Sequence, residues 1–463
     1  MKTDPLSPPP FPLAAQADHL GPCSRQRCHW NAAGSLALWC CRAVTLSCWL
    51  LMGGAVPMPA SAADDVPQAA ERFGVAAFDL ERLSRVPEVF PADGFQVGPE
   101  GDERIRPLFF AGPEYQGRPT RVFAWYGAPA AAPGTKLPAM VLVHGGGGTA
   151  FERWVKVWND RGYAAIALDL CGCVPRGTYG NWERHADGGP PGWDAAFAQV
   201  EEPLTDQWPH QAVSAIVLAH SLLRSFPEVD AERVGLTGIS WGGYLTCLTA
   251  GVDPRFRLAV PVYGCGYLAD DSAWLGRFAE MGPEKGARWT AWWDPASWLP
   301  RAEMPMLWVN GTNDFAYPPG SWQRSYRLPK GPRTLCLRVR MPHGHGPAGE
   351  NPEEIRAFTD AILMAQPGAD PGLATITGQG NKDAATWVTW RGGRPIRSAE
   401  LCFTAATGRW QDRLWETAPA ALDQAADGTE GRASAVIPAG ATAWYLNLVD
   451  EAGLVVSGEH AVR

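Results

Sequence analysis

The segment Gly238-Ile239-Ser240-Trp241-Gly242 sets one hydroxyl between glycines, directly after the β-branched, apolar run Arg233 to Thr237. Glycines flanking a serine relieve crowding at a sharp strand-to-helix turn and leave its hydroxyl exposed as a nucleophile at the end of a sheet. In a chain with 51 glycines such a motif also arises by chance, so its context decides. Upstream, the apolar strand pattern Ala139 to Val143 runs into His144-Gly145-Gly146-Gly147-Gly148. A glycine run at that place exposes backbone N–H groups. Gly145, Gly146 and Trp241 are therefore expected to hold the oxyanion of a tetrahedral intermediate. No Gly-Lys-Ser/Thr follows, which argues against a phosphate loop.

A serine nucleophile needs a base, and the base a carboxylate to orient it, in the chain order Ser, acid, His. Met306 to Asn310 reads as a strand and Gly311-Thr312-Asn313-Asp314-Phe315 as the loop behind it, which makes Asp314 the expected acid. The strand pattern Thr334 to Arg340 ends in Met341-Pro342-His343-Gly344-His345-Gly346 and supplies the base. Two histidines compete there, and the sequence leaves the choice open. His345 is favoured, because the chain needs several residues past the strand to bring an imidazole back over the serine and Gly346 permits a tight turn. His343 is the alternative base, or else a supporting or substrate-contacting residue. No carboxylate or cysteine stands at ligand spacing beside the pair, so no metal and no other cofactor is expected.

The elements that must carry these residues alternate. Strand patterns at 139–143, 164–170, 233–237, 306–310 and 334–340 are separated by helix candidates at Ala150 to Arg161, Gln207 to Arg224, Gly242 to Ala250 and Pro352 to Ala365. Two further strands fall within 105–128. Such alternation predicts an α/β fold, a mostly parallel sheet covered on both faces. Trp154 and Trp158, four apart on one helix, read as core packing.

The motifs together resemble the α/β-hydrolase superfamily over about residues 105–366. Within it they are similar to the branch of acetylxylan esterases, dienelactone hydrolases and prolyl-oligopeptidase-like serine hydrolases. That resemblance implies Ser240 as nucleophile, Asp314 as orienting acid and His345 as proton carrier. Dienelactone hydrolases proper use a cysteine where Ser240 stands, and no β-propeller like that of the oligopeptidases precedes this domain. Both departures favour a serine esterase acting on carboxylic esters, with small acyl groups on carbohydrate as the expected substrate. A peptidase, a polyester or lactone hydrolase, and an inactive glycan-binding protein are the alternatives.

Composition bounds the partners. A net charge of −8 and 19% charged residues give no basic field for nucleic acid or anionic lipid. Of 22 tryptophans, Trp274, Trp289, Trp292, Trp293, Trp298 and Trp308 fall between the serine and the acid loop, where this fold carries lid insertions, and Trp322 follows just behind that loop. Trp292 and Trp293 are the expected substrate contacts.

At the ends, Ala43 to Val56 is apolar and too short to span a bilayer, and Pro59-Ala60-Ser61-Ala62 fits a signal-peptidase site. Residues 1–62 are read as leader and signal peptide, with Ala63 the first mature residue, the protein exported to periplasm or medium and no stable membrane anchor. Residues 63–104 form an N-terminal arm, including an amphipathic stretch at 66–87. Cleavage leaves Cys171, Cys173, Cys247, Cys265, Cys336 and Cys402, of which Cys336 and Cys402 read as buried thiols and the Cys171/Cys173 pair as the place for a bridged member. Residues 367–372 read as a linker. The short alternating runs over 373–463 predict a β-sandwich that carries no catalytic constellation and is expected either to bind carbohydrate or to pack beside the active-site rim.

Overall fold

The computed structural model describes residues 65–74, 76–96, 102–192, 195–365 and 371–463. The expected leader and most of the linker lie outside the described residues. Among the described residues, eleven strands precede residue 340: β1 Val89–Pro91, β2 Ile105–Ala111, β3 Arg121–Gly127, β4 Leu137–Val143, β5 Ala164–Leu168, β6 Cys173–Thr178, β7 Asn181–Arg184, β8 Val229–Ile239, β9 Leu258–Val262, β10 Met306–Gly311 and β11 Arg333–Arg338. Nine of them form one sheet in the order β1-β2-β3-β5-β4-β8-β9-β10-β11. The pairs from β5 to β11 are all parallel, and β1, β2 and β3 extend the sheet antiparallel at one edge. This is the α/β-hydrolase fold.

The strands between β4 and β10 are apolar on both faces because helices cover both. β4, β5, β9 and β10 are buried along their whole length. Helices Glu152–Asp160, Trp208–Ser225, Trp241–Val252 and Glu353–Leu363 stand within two residues of the sequence expectation. Trp154 and Trp158 are 1% and 0% exposed, so that face of the first helix is core.

The C-terminal strands form two antiparallel sheets: β12 Thr375–Lys382, β13 Ala385–Arg391, β14 Ile396–Thr404, β15 Glu416–Pro419, β16 Ala421–Gln424, β17 Glu430–Val436, β18 Ala443–Asp450, β19 Val455–Ser457 and β20 Ala461–Val462. One sheet runs β12-β13-β17-β16, the other β15-β14-β18-β19 with β20 on β18. Val388, Trp390 and Ala433 of the first meet Leu401, Leu446 and Leu448 of the second in a separate core, which makes this part a β-sandwich. The second of these sheets lies against β11. The backbone N–H of Leu337 donates to Ser457 Oγ at 2.8 Å, and Tyr445 donates to the Leu337 carbonyl at 3.0 Å.

Among the described residues no disulfide joins any of the six cysteines, contrary to the expectation for Cys171 and Cys173. The thiol of Cys173 is buried and donates to the Cys171 carbonyl at 3.5 Å, so the two residues face along one turn. Cys336 and Cys402 are buried, as expected.

Candidate active site

Ser240 sits at the junction of β8 and the helix Trp241–Val252 with φ 59° and ψ −118°, a left-handed conformation that holds its side chain out of both elements. The flanking glycines are demanded by contact. A Cβ on Gly242 would stand 2.0 Å from the Val143 carbonyl oxygen, and one on Gly238 would stand 2.2 Å from that of Gly242. No larger residue fits where β4, β8 and the helix converge, which is why the motif has this composition.

The histidine that the fold brings to Ser240 is His343. Its Nε2 lies 2.9 Å from Ser240 Oγ, and its Nδ1 lies 2.6 Å from Asp314 Oδ2. A carboxylate only accepts, so Nδ1 carries the proton and Nε2 is left to accept from the serine hydroxyl. Asp314 is 1% exposed, and its Oδ1 accepts the N–H groups of Ala316 at 2.9 Å and Tyr317 at 2.7 Å. The His343 ring stacks on Tyr263 at 4.6 Å between centroids and meets Phe315 at 5.0 Å on its other flank. Tyr263 in turn donates to the Pro342 carbonyl at 2.7 Å, which holds the turn into His343.

The expectation for His345 is corrected here. β11 ends at Arg338, and Arg340 turns the chain at once with φ 54°, so the first histidine is already over the serine. Two residues later the chain has passed it. His345 Nε2 accepts the Gly145 N–H at 3.0 Å, and its ring lies against Phe151 and Tyr179. Burial pushes this imidazole down to about 3, so it is neutral at ordinary pH. It occupies one of the three expected oxyanion donors: a carbonyl oxygen that takes the Gly145 N–H has to displace it.

The glycine loop is braced from below and above. His144 is buried, and its Nε2 accepts the Leu170 N–H at 3.0 Å, while Thr149 donates to Asp169 at 2.9 Å. From the other side come two side chains of the hairpin β6–β7, which sequence reasoning missed. Tyr179 donates to the Gly146 carbonyl at 2.6 Å and Trp182 to that of Gly147 at 2.8 Å. The Gly180 N–H adds a third bond to the loop, the second at the Gly147 carbonyl, at 2.8 Å.

Trp292 and Trp293 are not at the site, a second correction. Trp293 is 0% exposed, and its indole donates to Gln207 at 2.6 Å. Trp292 is half-buried, with its indole towards the Phe73 carbonyl of the N-terminal helix Asp65–Phe73. The stretch expected as a lid is mainly two helical segments within Leu275–Trp293 that meet at a kink, where Gly282 has φ 72° and Pro283 follows, and Trp289, Trp298, Trp308 and Trp322 are likewise buried. Trp274 packs instead against neighbours of the triad residues, its ring 4.7 Å from Trp241, which follows the serine, and 5.0 Å from Tyr317, whose N–H binds Asp314.

Two family models match overlapping parts of the chain: the acetyl xylan esterase model over residues 108–273 and the prolyl oligopeptidase family model over residues 198–360. The first spans the glycine loop and Ser240, the second Ser240, Asp314 and His343. An uncharacterized peptidase of Bacillus subtilis, YuxL, is 27% identical over 150 residues, 30% of this chain and 19% of that protein. The chain thus spans about a fifth of the curated relative it matches. Among solved structures, an acetyl xylan esterase from Paenibacillus sp. R4 is 22% identical with a TM-score of 0.48, over 66% of this chain and 97% of that one. An acylaminoacyl peptidase of Pyrococcus horikoshii is 20% identical with a TM-score of 0.42, over 57% of this chain and 43% of that one.

Proposed function

The chain is an α/β-hydrolase of the serine-hydrolase kind, and on that premise we propose that it cleaves carboxylic esters through an acyl-enzyme on Ser240, with small acyl groups on carbohydrate as its substrates. The observation that carries the reading is the hydrogen-bonded chain from Ser240 Oγ through His343 to Asp314, at 2.9 and 2.6 Å. In this scheme His343 Nε2 takes the hydroxyl proton as Oγ attacks the ester carbonyl. The oxyanion is held by the N–H groups of Trp241 and of the glycine loop, and His343 returns the proton to the departing alcohol. Water then repeats the sequence to release the acid.

The glycine loop packs tightly against the serine. A Cβ on Gly145 would lie 2.7 Å from His345 Nε2 and 2.9 Å from Ser240 Cβ, so the glycine, the imidazole and the nucleophile crowd one another. The match to the acetyl xylan esterase model is what supports a small acyl group. A peptidase is the second reading, since the prolyl oligopeptidase model spans Ser240, Asp314 and His343. Acetylated xylan, p-nitrophenyl acetate and butyrate, and a proline-containing peptide tested side by side separate the two. Release of acetate from the polymer with the acetyl ester preferred supports the esterase, and turnover of the peptide alone overturns it. Export belongs to the same proposal, and recovery of secreted protein whose first residue is near Ala63 is its test.

A further inference from the structure

The β-sandwich reaches into the loop that carries Asp314. The Nδ2 of Asn313 points its two N–H donors at three backbone carbonyls of the β14–β15 connection, Arg413 at 2.7 Å, Trp410 at 3.1 Å and Gln411 at 3.1 Å, so at least one N–H is shared between carbonyls. These carbonyls converge because residues Trp410–Asp412 form a single 3₁₀ turn followed by an extended Arg413. The turn is itself fixed. The Arg413 guanidinium lies 3.8 Å over the Trp410 ring and donates to the Gly408 carbonyl at 2.9 Å, and the Trp410 and Trp415 rings stack beneath it.

From Asn313 the bonds continue to the base. Thr312 donates its hydroxyl to Asn313 Oδ1 at 2.9 Å and accepts the Arg340 N–H at 3.1 Å, three residues before His343. β11, which delivers that same loop, is held from the side by Ser457 and Tyr445 of the sandwich. Acid and base therefore reach Ser240 on two loops anchored to one external body.

We propose that the C-terminal sandwich is a positioning element of the active site, and that Asn313 is the residue through which it sets the place of Asp314 and, through Thr312 and Arg340, of His343. The proposal rests on the reading of Ser240, His343 and Asp314 as a triad. Asn313 touches neither substrate nor the reacting atoms. It acts by denying the acid loop its freedom, and a misplacement of about 1 Å in such a group costs about 100-fold in rate.

The test compares Asn313→Ala with Gln323→Ala in the full chain. Gln323 donates to the His460 carbonyl at 2.6 Å and so belongs to the same interface without touching either loop. With p-nitrophenyl acetate, Asn313→Ala should lower kcat per titrated active site about 10- to 100-fold with little change in KM. Asn313→Ser, which keeps one donor, should fall between Asn313→Ala and the parent, and it carries the comparison if the alanine variant does not fold. Gln323→Ala should lower Tm and leave kcat alone. Parent kcat in both Asn313 variants, or equal losses in Asn313→Ala and Gln323→Ala that follow Tm, overturns the positioning role. Absence of fluorophosphonate labelling at Ser240 in the parent would instead overturn the triad reading beneath it.

Discussion

At the residue scale the site turns on two histidines of the same type, two positions apart. His343 is poised between Ser240 and Asp314, while His345 holds the Gly145 N–H. Their replacements should therefore behave differently. His343→Ala should lower kcat by about 10⁴-fold or more with folding intact, since the members of a triad act as a unit. His345→Ala should keep most of the activity towards p-nitrophenyl acetate and widen the acyl range towards butyrate, because it clears space beside Ser240. Steady-state kinetics on both esters decides it, and a loss in His345→Ala as deep as in His343→Ala would contradict the assignment. Ser240, Asp314 and the glycine loop were legible because each carries a local signal: glycines at a turn, or a strand running into a loop. The choice of histidine was not. It depends on how sharply the chain turns at Arg340, where φ is 54°, and no motif records that.

At the element scale the hairpin β6–β7 is the part that the sequence hid. Cys173-Val174-Pro175-Arg176-Gly177-Thr178 has a proline, a glycine and no clean alternation, so nothing in it reads as a strand, and its role lies in contacts with a distant loop. Tyr179 and Trp182 each donate to a carbonyl of the glycine loop and hold its peptides in orientation. Tyr179→Phe removes one bond and keeps the ring, so it should lower kcat by about 5- to 10-fold, the worth of one hydrogen bond, with KM and Tm close to parent. Unchanged kcat would reduce the hairpin to a cover. The tryptophans mislead for the opposite reason. A dense cluster between serine and acid suggests a sugar platform, whereas burial of Trp289, Trp293, Trp298 and Trp308 shows that most of their area builds the core.

At the scale of the whole molecule, buried imidazoles link stability to pH. His144, His185, His210, His220, His345 and His460 are all held below the ordinary imidazole range by burial, His210 to about 4 and His345 and His460 to about 3. Each takes up a proton on unfolding once the pH is below about 6.5, so the stability it lends is present above that value and is lost as the pH falls towards its folded value. Burial raises Asp294 to about 6 and also raises Asp271, which works the other way: their contribution is present at low pH and lost as pH rises. Six groups against two leave a net uptake of protons on unfolding between pH 6.5 and about 4. Tm should fall steadily as pH is lowered from 7 to 5, and calorimetry should register that uptake. A Tm that is flat or rises over this range would contradict it. The sandwich was legible as a domain from its short alternating runs, but its hold on Asn313 was not, because the partners there are backbone carbonyls that any sequence supplies.

The most direct test is covalent. Incubated with a fluorophosphonate probe and digested, the intact protein should carry the label on the peptide containing Ser240, with labelling slowed by several orders of magnitude in His343→Ala and abolished in Ser240→Ala. A label on another residue, or labelling of His343→Ala at the parent rate, would contradict the account.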